Sequence, residues 1–368
     1  VSGAYDAVVL GAGPAGAQAA ATLAETGHRV LLLEAGYYDQ PRIGETLPPS
    51  AIALLRRLGR SRIADEVLLS PALTQMSVWG DDELRSRSFL FNPFGYGAHL
   101  DRCAFDRSLA RAAVDLGADI RHGTRLVACT AAPGHQWRLT VRDRDDHHST
   151  LVARAVIDAT GRQARLARLL GARRRSHDRL VAVAFRYQAV EPVHHTLVEA
   201  APTGWWYSAP QPPDAAVAVF LTDADLCRRH DNSRVEHWER ELGRTSHVRR
   251  RFRHGERMDV PRIHPACSHH LDHGGAPGRW LAVGDAALAV DPLSSSGIEW
   301  ALTSGHVGGL AIAHWLNGHR EPAQDYRAWI AHVYRRYWQE RTEWYRVENR
   351  WPDSPFWRRR HVATAPVG

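Results

Sequence analysis

The chain opens on a strand that runs straight into a glycine turn. Val8-Val9-Leu10 leads into Gly11-Ala12-Gly13-Pro14-Ala15-Gly16, then an alanine-rich helical stretch, then Val30-Leu31-Leu32-Leu33 and Glu34. Strand, turn, helix, strand and acid in that order form the βαβ fingerprint of an adenine dinucleotide site. Gly11 permits the tight turn. Gly13 keeps a Cβ out of the path of a pyrophosphate, and Gly16 lets helix and strand pack closely. The N-terminus of the helix offers unpaired N–H groups to phosphate. Glu34 comes eighteen residues after Gly16, where a carboxylate can accept from ribose hydroxyls. A structural βαβ unit shares some of these features, but the register of all five parts favours dinucleotide binding.

A chain of 368 residues suits two or three domains. No apolar run reaches the roughly 18 residues of a membrane span, and no signal-peptide pattern precedes the first strand. Cys103, Cys129, Cys227 and Cys267 are scattered without a CxxC pair, which argues against a disulfide framework and a cysteine zinc site. A cytoplasmic protein with no transmembrane segment is expected. The net charge is +7, but the arginines are spread along the chain and no basic stripe or nucleic-acid motif stands out. No nucleic-acid partner is expected, and nothing in the sequence bears on oligomeric state. All 47 Lys+Arg positions are arginine. A chain without lysine can form no Schiff base and carries no P-loop lysine, and arginine cannot take lysine's nucleophilic or proton-transfer roles.

Ser50 reads as the N-cap of a helix Ala51–Leu58 closed by Gly59. Residues 72–100 look β-rich, with strands at Ser77-Val78-Trp79 and Ser88-Phe89-Leu90-Phe91. Asp101 opens a helix to about Leu116, and residues 118–157 alternate as a small antiparallel layer. Val181–Val190 and Ala215–Leu221 read as strands, and 233–253 as one charged helix. Ile298–Leu316 reads as a long apolar helix, and 321–350 as a tryptophan- and tyrosine-rich one. The fold class is therefore α/β: a Rossmann-like domain with a mixed parallel sheet and a small antiparallel layer, an inserted β-sheet domain, and C-terminal helices. The boundaries fall at 1–75, 100–175 and 262–320 for the nucleotide domain, 76–99 and 176–261 for the inserted substrate domain, and 321–368 for the terminal segment.

A second site is legible at Gly284-Asp285, followed by Asp291-Pro292 and Ser294-Ser295-Ser296-Gly297-Ile298. A carboxylate at the end of a buried strand needs donors, and a ribityl chain supplies them. The glycine turn before the long helix offers N–H groups and a positive dipole end to the N1/O2 side of a reduced isoalloxazine ring. A strand-turn-helix with a capping Asp is the structural alternative.

The N-terminal fingerprint, the Asp158-Ala159-Thr160-Gly161 turn and the late Gly-Asp strand together resemble the FAD-dependent monooxygenase (aromatic hydroxylase) superfamily. The chain is most similar to its branch of geranylgeranyl reductases and tryptophan-halogenase-like proteins. Gly44-Glu45-Thr46-Leu47-Pro48 matches the branch's GExxxP loop, and Asp101-Arg102 with Phe105-Asp106 and Leu109 matches its arginine-bearing helix start. The resemblance implies FAD as cofactor. It places Gly11, Gly13, Ala15, Gly16, Glu34 and Ala35 on the AMP half, and Arg102, Val127 and Gly161 along the flavin or its phosphates. Gly284, Asp285, Pro292, Gly297 and Ile298 would lie at the ribityl and pyrimidine end. Glu45 would face the flavin or cap a helix. Trp206 and Tyr207 would stack on an aromatic substrate or pack the core.

Halogenases of this branch carry WxWxIP and a catalytic lysine. Here the matching stretch is Trp205-Trp206-Tyr207-Ser208-Ala209-Pro210, and no lysine exists. The implied activity is instead hydroxylation of an aromatic ring through a flavin C4a-hydroperoxide. The resemblance leaves three forms of the ring open, free, carrier-bound or peptide-borne, because a halogenase-like subgroup oxidises a tryptophan of a partner polypeptide during quinone-cofactor maturation. Electrons would come from NAD(P)H or a separate flavin reductase, since no second nucleotide fingerprint is present. The rivals are a halogenase-like enzyme, an isoprenoid reductase of the same fold, and a non-catalytic maturation partner. The histidines His264, His269, His270 and His273 read as a loop cluster rather than a metal site, and His194-His195 as a solvated loop. Trp329, Trp338, Trp344, Trp351 and Trp357 either pack the tail or form a docking surface.

Overall fold

The computed structural model describes residues 5–188, 193–229, 235–272 and 279–362. Its first sheet has seven strands. Five are parallel, in the order Asp119–Arg121, Val30–Leu33, Tyr5–Leu10, His148–Asp158 and Trp280–Ala282. His148–Asp158 is long because one of its edges serves two partners. Its earlier residues carry the antiparallel ladder of Gln136–Arg142, itself paired with Arg125–Ala132, and its last three pair with Trp280–Ala282. This is the expected mixed sheet with its antiparallel layer.

Parallel strands need cover on both faces. Helix Pro14–Glu25 is buried from Pro14 to Leu23, because helix Gly297–Leu316 lies against it at backbone distance. A Cβ on Gly305 would stand 2.3 Å from the Ala15 carbonyl oxygen, and one on Gly309 3.0 Å from that of Ala19. No helix among the described residues is long and apolar enough to cross a membrane.

The second sheet has eight strands. Along its path run Glu256–Arg257, Leu180–Gln188, Ala215–Asp223, Gly204–Gln211, His195–Ala201, Thr74–Val78 and Arg85–Ser88, and Arg262–Pro265 also pairs with Leu180–Gln188. The chain leaves the first sheet for the second and returns, twice. One face of the second sheet packs against Tyr345, Phe356 and Trp357 of the C-terminal helices Glu321–Val347 and Pro355–Val362. The other packs against Trp238, Val248 and Phe252. Trp338 and Trp357 are buried, and Trp329, Trp344 and Trp351 half-buried. Trp357 donates to the Ala201 carbonyl at 2.9 Å. The tail tryptophans therefore pack the tail onto the body.

Four local expectations need correction. Ser50 is not an N-cap: the helix is Pro49–Arg57, with Pro48 at the cap and Pro49 in the first turn. Proline at the first helical position is pre-set for the helix, so Ser50 falls inside it and donates to Glu299 at 2.7 Å. The second strand of the 72–100 region is Arg85–Ser88, not 88–91. A turn bond from Asn92 N–H to the Phe89 carbonyl draws the chain off the sheet, leaving Leu90 and Phe91 exposed. The charged segment is two helices, Val235–Gly243 and His247–Arg251, and residues 233 and 234 lie outside the described set. The buried Glu199 carboxylate accepts from the N–H groups of Ser246, His247 and Val248 and starts the second helix afresh. His269 and His270 lie on a strand, His269–Asp272, paired with Arg173–Ser176 and Leu288–Ala289, whereas His273 is outside the described residues.

Replacing Gly305 with Val should lower the unfolding free energy by more than about 2 kcal/mol. Urea unfolding would read this, and an unchanged midpoint would mean that the two helices do not touch.

Candidate active site

The carboxyl ends of the parallel strands deliver their turns to one edge, where ligands of open α/β sheets bind. After Tyr5–Leu10 comes Gly11, with φ +97°. A Cβ there would stand 2.4 Å from the Ala159 carbonyl oxygen, and one on Gly16 1.9 Å from the Gly11 carbonyl oxygen. Both glycines are thus fixed by packing. Gly13 differs: a Cβ there would meet nothing within 4 Å. It caps helix Pro14–Glu25, whose first N–H groups open onto the same space. After Val30–Leu33, Glu34 accepts from Ala12 N–H at 2.7 Å and from Gly36 N–H at 3.0 Å.

After His148–Asp158, the buried Asp158 carboxylate fastens the next turn by accepting from the Thr160 N–H and hydroxyl and from Ala167 N–H. Gly161 follows at φ +61°, with open space where a Cβ would be. After Trp280–Ala282, Gly284 adopts φ +58° and packs against the Ala15 methyl, where a Cβ would approach to 2.7 Å. Asp285 then turns its carboxylate to the cavity, 3.2 Å from Arg162 Nε, with a third of the side chain open. Burial pushes its carboxyl up, opposed by Arg162 and Arg102. Pro292, Gly297 and Ile298 complete this end at the start of helix Gly297–Leu316.

One cavity of about 890 Å³ joins these turns to the second sheet. Gly11, Gly13, Ala15, Glu34, Ala35, Arg102, Gly161, Asp285, Pro292, Gly297 and Ile298 all line it. Gly16 and Gly284 stand behind the lining as packing positions. Val127 does not line it; Thr124, Arg125 and Leu126 do. Glu45 and Tyr207 reach the cavity and Trp206 does not. In the strand Gly204–Gln211, successive side chains alternate faces. Tyr207 therefore faces the cavity, and Trp206 packs on the far side, 4.5 Å from Trp238 and 5.0 Å from Phe220 between ring centroids. Trp206 cannot touch a substrate held here. His264 lines the cavity, whereas His269 turns to the Asp285 carbonyl and His270 stacks with His177. His194 and His195 do not line it.

Glu45 is buried, and its carboxylate accepts from Gly44 N–H at 3.0 Å. Burial pushes its pKa up to about 7, with the Arg102 guanidinium and the two backbone donors opposing. The Tyr207 hydroxyl lies 3.1 Å from Thr46 Oγ1, and burial raises its pKa well above the ordinary phenol range. Arg102 is ion-paired as well as cavity-lining: its Nε and Nη2 donate to Asp106, which Arg42 also reaches at 2.8 Å.

Sequence reading missed Arg42, Arg125, Arg162 and Arg165, which line the cavity. Arg162 directly follows the Thr160-Gly161 turn, which is the only sequence signal for it. It also missed Arg341, Tyr337 and Tyr345, which hold the buried Asp291 beside the Gly297 turn. Arg341 Nε and the Tyr345 hydroxyl donate to its carboxylate at 3.2 and 2.9 Å, and the Asp291 N–H donates to Tyr337 at 2.8 Å.

The FAD binding domain family matches residues 4–328. The chain belongs to this family. It is 32% identical to LodB of Marinomonas mediterranea, named as an FAD-dependent oxidoreductase, over 98% of both chains. It is 26% identical to a pyrrole-2-carbonyl peptidyl-carrier-protein brominase of Pseudoalteromonas luteoviolacea, over 88% of this chain and 82% of that one. Its fold is that of the myxobacterial chondrochloren halogenase CndH, with a TM-score of 0.88 at 22% identity over 98% of this chain and 86% of that one. The protein is an FAD-dependent oxidoreductase of the halogenase and hydroxylase fold. The cavity fits FAD: Gly13, Gly161 and Gly297 leave open space where a Cβ would intrude, and a helix N-terminus stands at each end.

Glu45 carries a pH signature. Its folded pKa of about 7 exceeds the ordinary 4.5, so the folded state keeps a proton that the unfolded chain loses. That stabilisation is whole below about pH 4.5 and disappears as pH rises through 7. FAD-free protein should lose on the order of 1–3 kcal/mol relative to Glu45→Gln between pH 5 and 7.5. Urea unfolding across that range would read it, and parallel profiles would refute the raised pKa.

Proposed function

We propose that this protein is an FAD-dependent monooxygenase that hydroxylates an aromatic ring, with a tryptophan of a partner polypeptide as the favoured form of that ring. The observation carrying this reading is the continuity of the cavity from the dinucleotide cradle to a chamber walled by Tyr207 and Phe89. The end-to-end match with LodB supports it. So does the absence of lysine, because lysine-dependent halogenation has no residue to use.

In this reading Gly11, Gly13 and the first helix turn hold the pyrophosphate, Gly16 packs behind them, and Glu34 holds the ribose. Ala15 and Ala35 close around the AMP half. Arg102 and Gly161 border the middle of the cofactor. Asp285 accepts from the ribityl chain, and Gly297 and Ile298 present N–H groups to the pyrimidine edge, where the helix dipole favours negative charge. Bound and reduced, FAD supplies two electrons to O₂, so that one oxygen atom enters the ring and the other leaves as water. The protein holds the ring beside the cofactor, excludes water, and keeps Glu45 protonated or ionised near neutral pH as a proton donor or acceptor at its carboxyl. Electrons come from NAD(P)H or a separate flavin reductase.

Reduced FAD and ¹⁸O₂ would be supplied to the protein together with a tryptophan-containing polypeptide. A single ¹⁸O on an aromatic side chain is expected. A reduced double bond without oxygen uptake would favour an isoprenoid reductase, and a halide-dependent product a halogenase. Binding without oxygen incorporation would favour a maturation partner. Asp285→Ala should weaken FAD binding at least tenfold, or about 1.4 kcal/mol, in a flavin fluorescence titration. Unchanged affinity would count against its place on the ribityl chain.

A further inference from the structure

The cavity is electrically divided. The end built on the first sheet is lined by five guanidiniums (Arg42, Arg102, Arg125, Arg162 and Arg165), together with Glu34, Asp106, Asp285 and Asp291. The end built on the second sheet is lined by Thr74, Gln75, Thr196, Tyr207, Val219 and His264, among other uncharged residues. Among the described residues, none that this sheet sends into the cavity carries a formal charge. Burial and the neighbouring Arg262 push the His264 pKa down and keep that imidazole neutral. Arg251 stands behind Tyr207 and does not line the cavity. Its Nη1 donates to Ser208 Oγ at 3.1 Å, and its Nε and Nη2 are closed off from solvent. Glu45 marks the border between the two ends.

A carboxylate entering the second-sheet end would lose its water and find no cation lining that end, while coming close to Glu45. A neutral amide or a ring N–H meets the opposite situation. Gln75 and Thr196 are register partners on adjacent parallel strands, and both reach the cavity. Gln75 brings an amide donor and acceptor, and Thr196 a hydroxyl.

We propose that the uncharged wall to which Gln75 and Thr196 belong makes this chamber a filter against anions, admitting an aromatic ring whose carboxyl is tied up as an amide or ester and rejecting the same ring as a free acid. The inference rests on the aromatic reading above and adds a selectivity rule with named determinants. Because the filter is made by the protein's own wall, it acts on binding, whatever the later chemistry.

Calorimetry on FAD-loaded protein tests it with matched pairs: indole-3-propionamide against indole-3-propionate, 3-(4-hydroxyphenyl)propionamide against its acid, and pyrrole-2-carboxamide against pyrrole-2-carboxylate. For whichever ring binds, the amide should bind at least tenfold tighter than the acid. Gln75→Arg, which installs a guanidinium in the chamber, should cancel or reverse that ratio, whereas Gln75→Leu should leave the acid rejected. Thr196→Arg repeats the test from the next strand should Gln75→Arg fail to fold. An acid that binds the wild type as tightly as its amide overturns the filter and leaves the aromatic reading standing. No binding by any of the six compounds overturns the aromatic reading, and the filter falls with it.

Discussion

The site depends on backbone meeting backbone. Gly11 and Gly16 leave room for the Ala159 turn, Gly284 accepts the Ala15 methyl, and Gly305 accepts the Ala15 carbonyl. Three strand ends and helix Gly297–Leu316 therefore stack with nothing larger than an alanine methyl at these contacts. A side chain at any of these positions would push a turn out of line. The glycines that face outward from the stack have the opposite reason for lacking a Cβ. Gly13, Gly161 and Gly297 border the open cavity.

Buried charges then locate what the backbone brings together. Asp106 is fully buried between Arg42 and Arg102, which ties the loop before the GExxxP segment to the helix at Asp101. Asp291 is equally buried and is held by Arg341 and Tyr345, which ties the Pro292–Gly297 turn to the C-terminal helix. Such pairs add little net stability, but leaving one partner alone in the interior costs several kcal/mol. Their contribution is to specify position. The C-terminal helix, which extends past the matched family region, is therefore part of how the cofactor end is shaped.

The second sheet shows how a short motif is read by geometry. In Trp205-Trp206-Tyr207, a two-residue period sends Trp205 to Tyr345 and Tyr207 to the cavity, and leaves Trp206 against Trp238. The neighbouring strands add an uncharged lining to that end of the cavity, opposite the arginines at the first sheet. Neither the direction of Trp206 nor the neutrality of the chamber follows from a motif match, since both depend on which strands lie side by side.

The nucleotide fold was legible because its determinants are local: a glycine turn, a helix start and an acid at a fixed spacing act within one βαβ unit. The same holds for the Asp101 helix start, whose carboxylate accepts from Cys103 and Ala104 N–H, and for the Gly-Asp strand end. Ser50 and the 233–253 helix were misread because their outcome was set by a proline next door and by Glu199, about fifty residues away. Val127 was placed one residue off a lining that only strand pairing defines. By itself the chain determined the cradle, the absence of lysine chemistry and the order of its elements. The tertiary structure decided which arginines line the cavity, which face of the second sheet lines it, and what charge that face carries. These are contacts between residues far apart in sequence, and no local propensity encodes them.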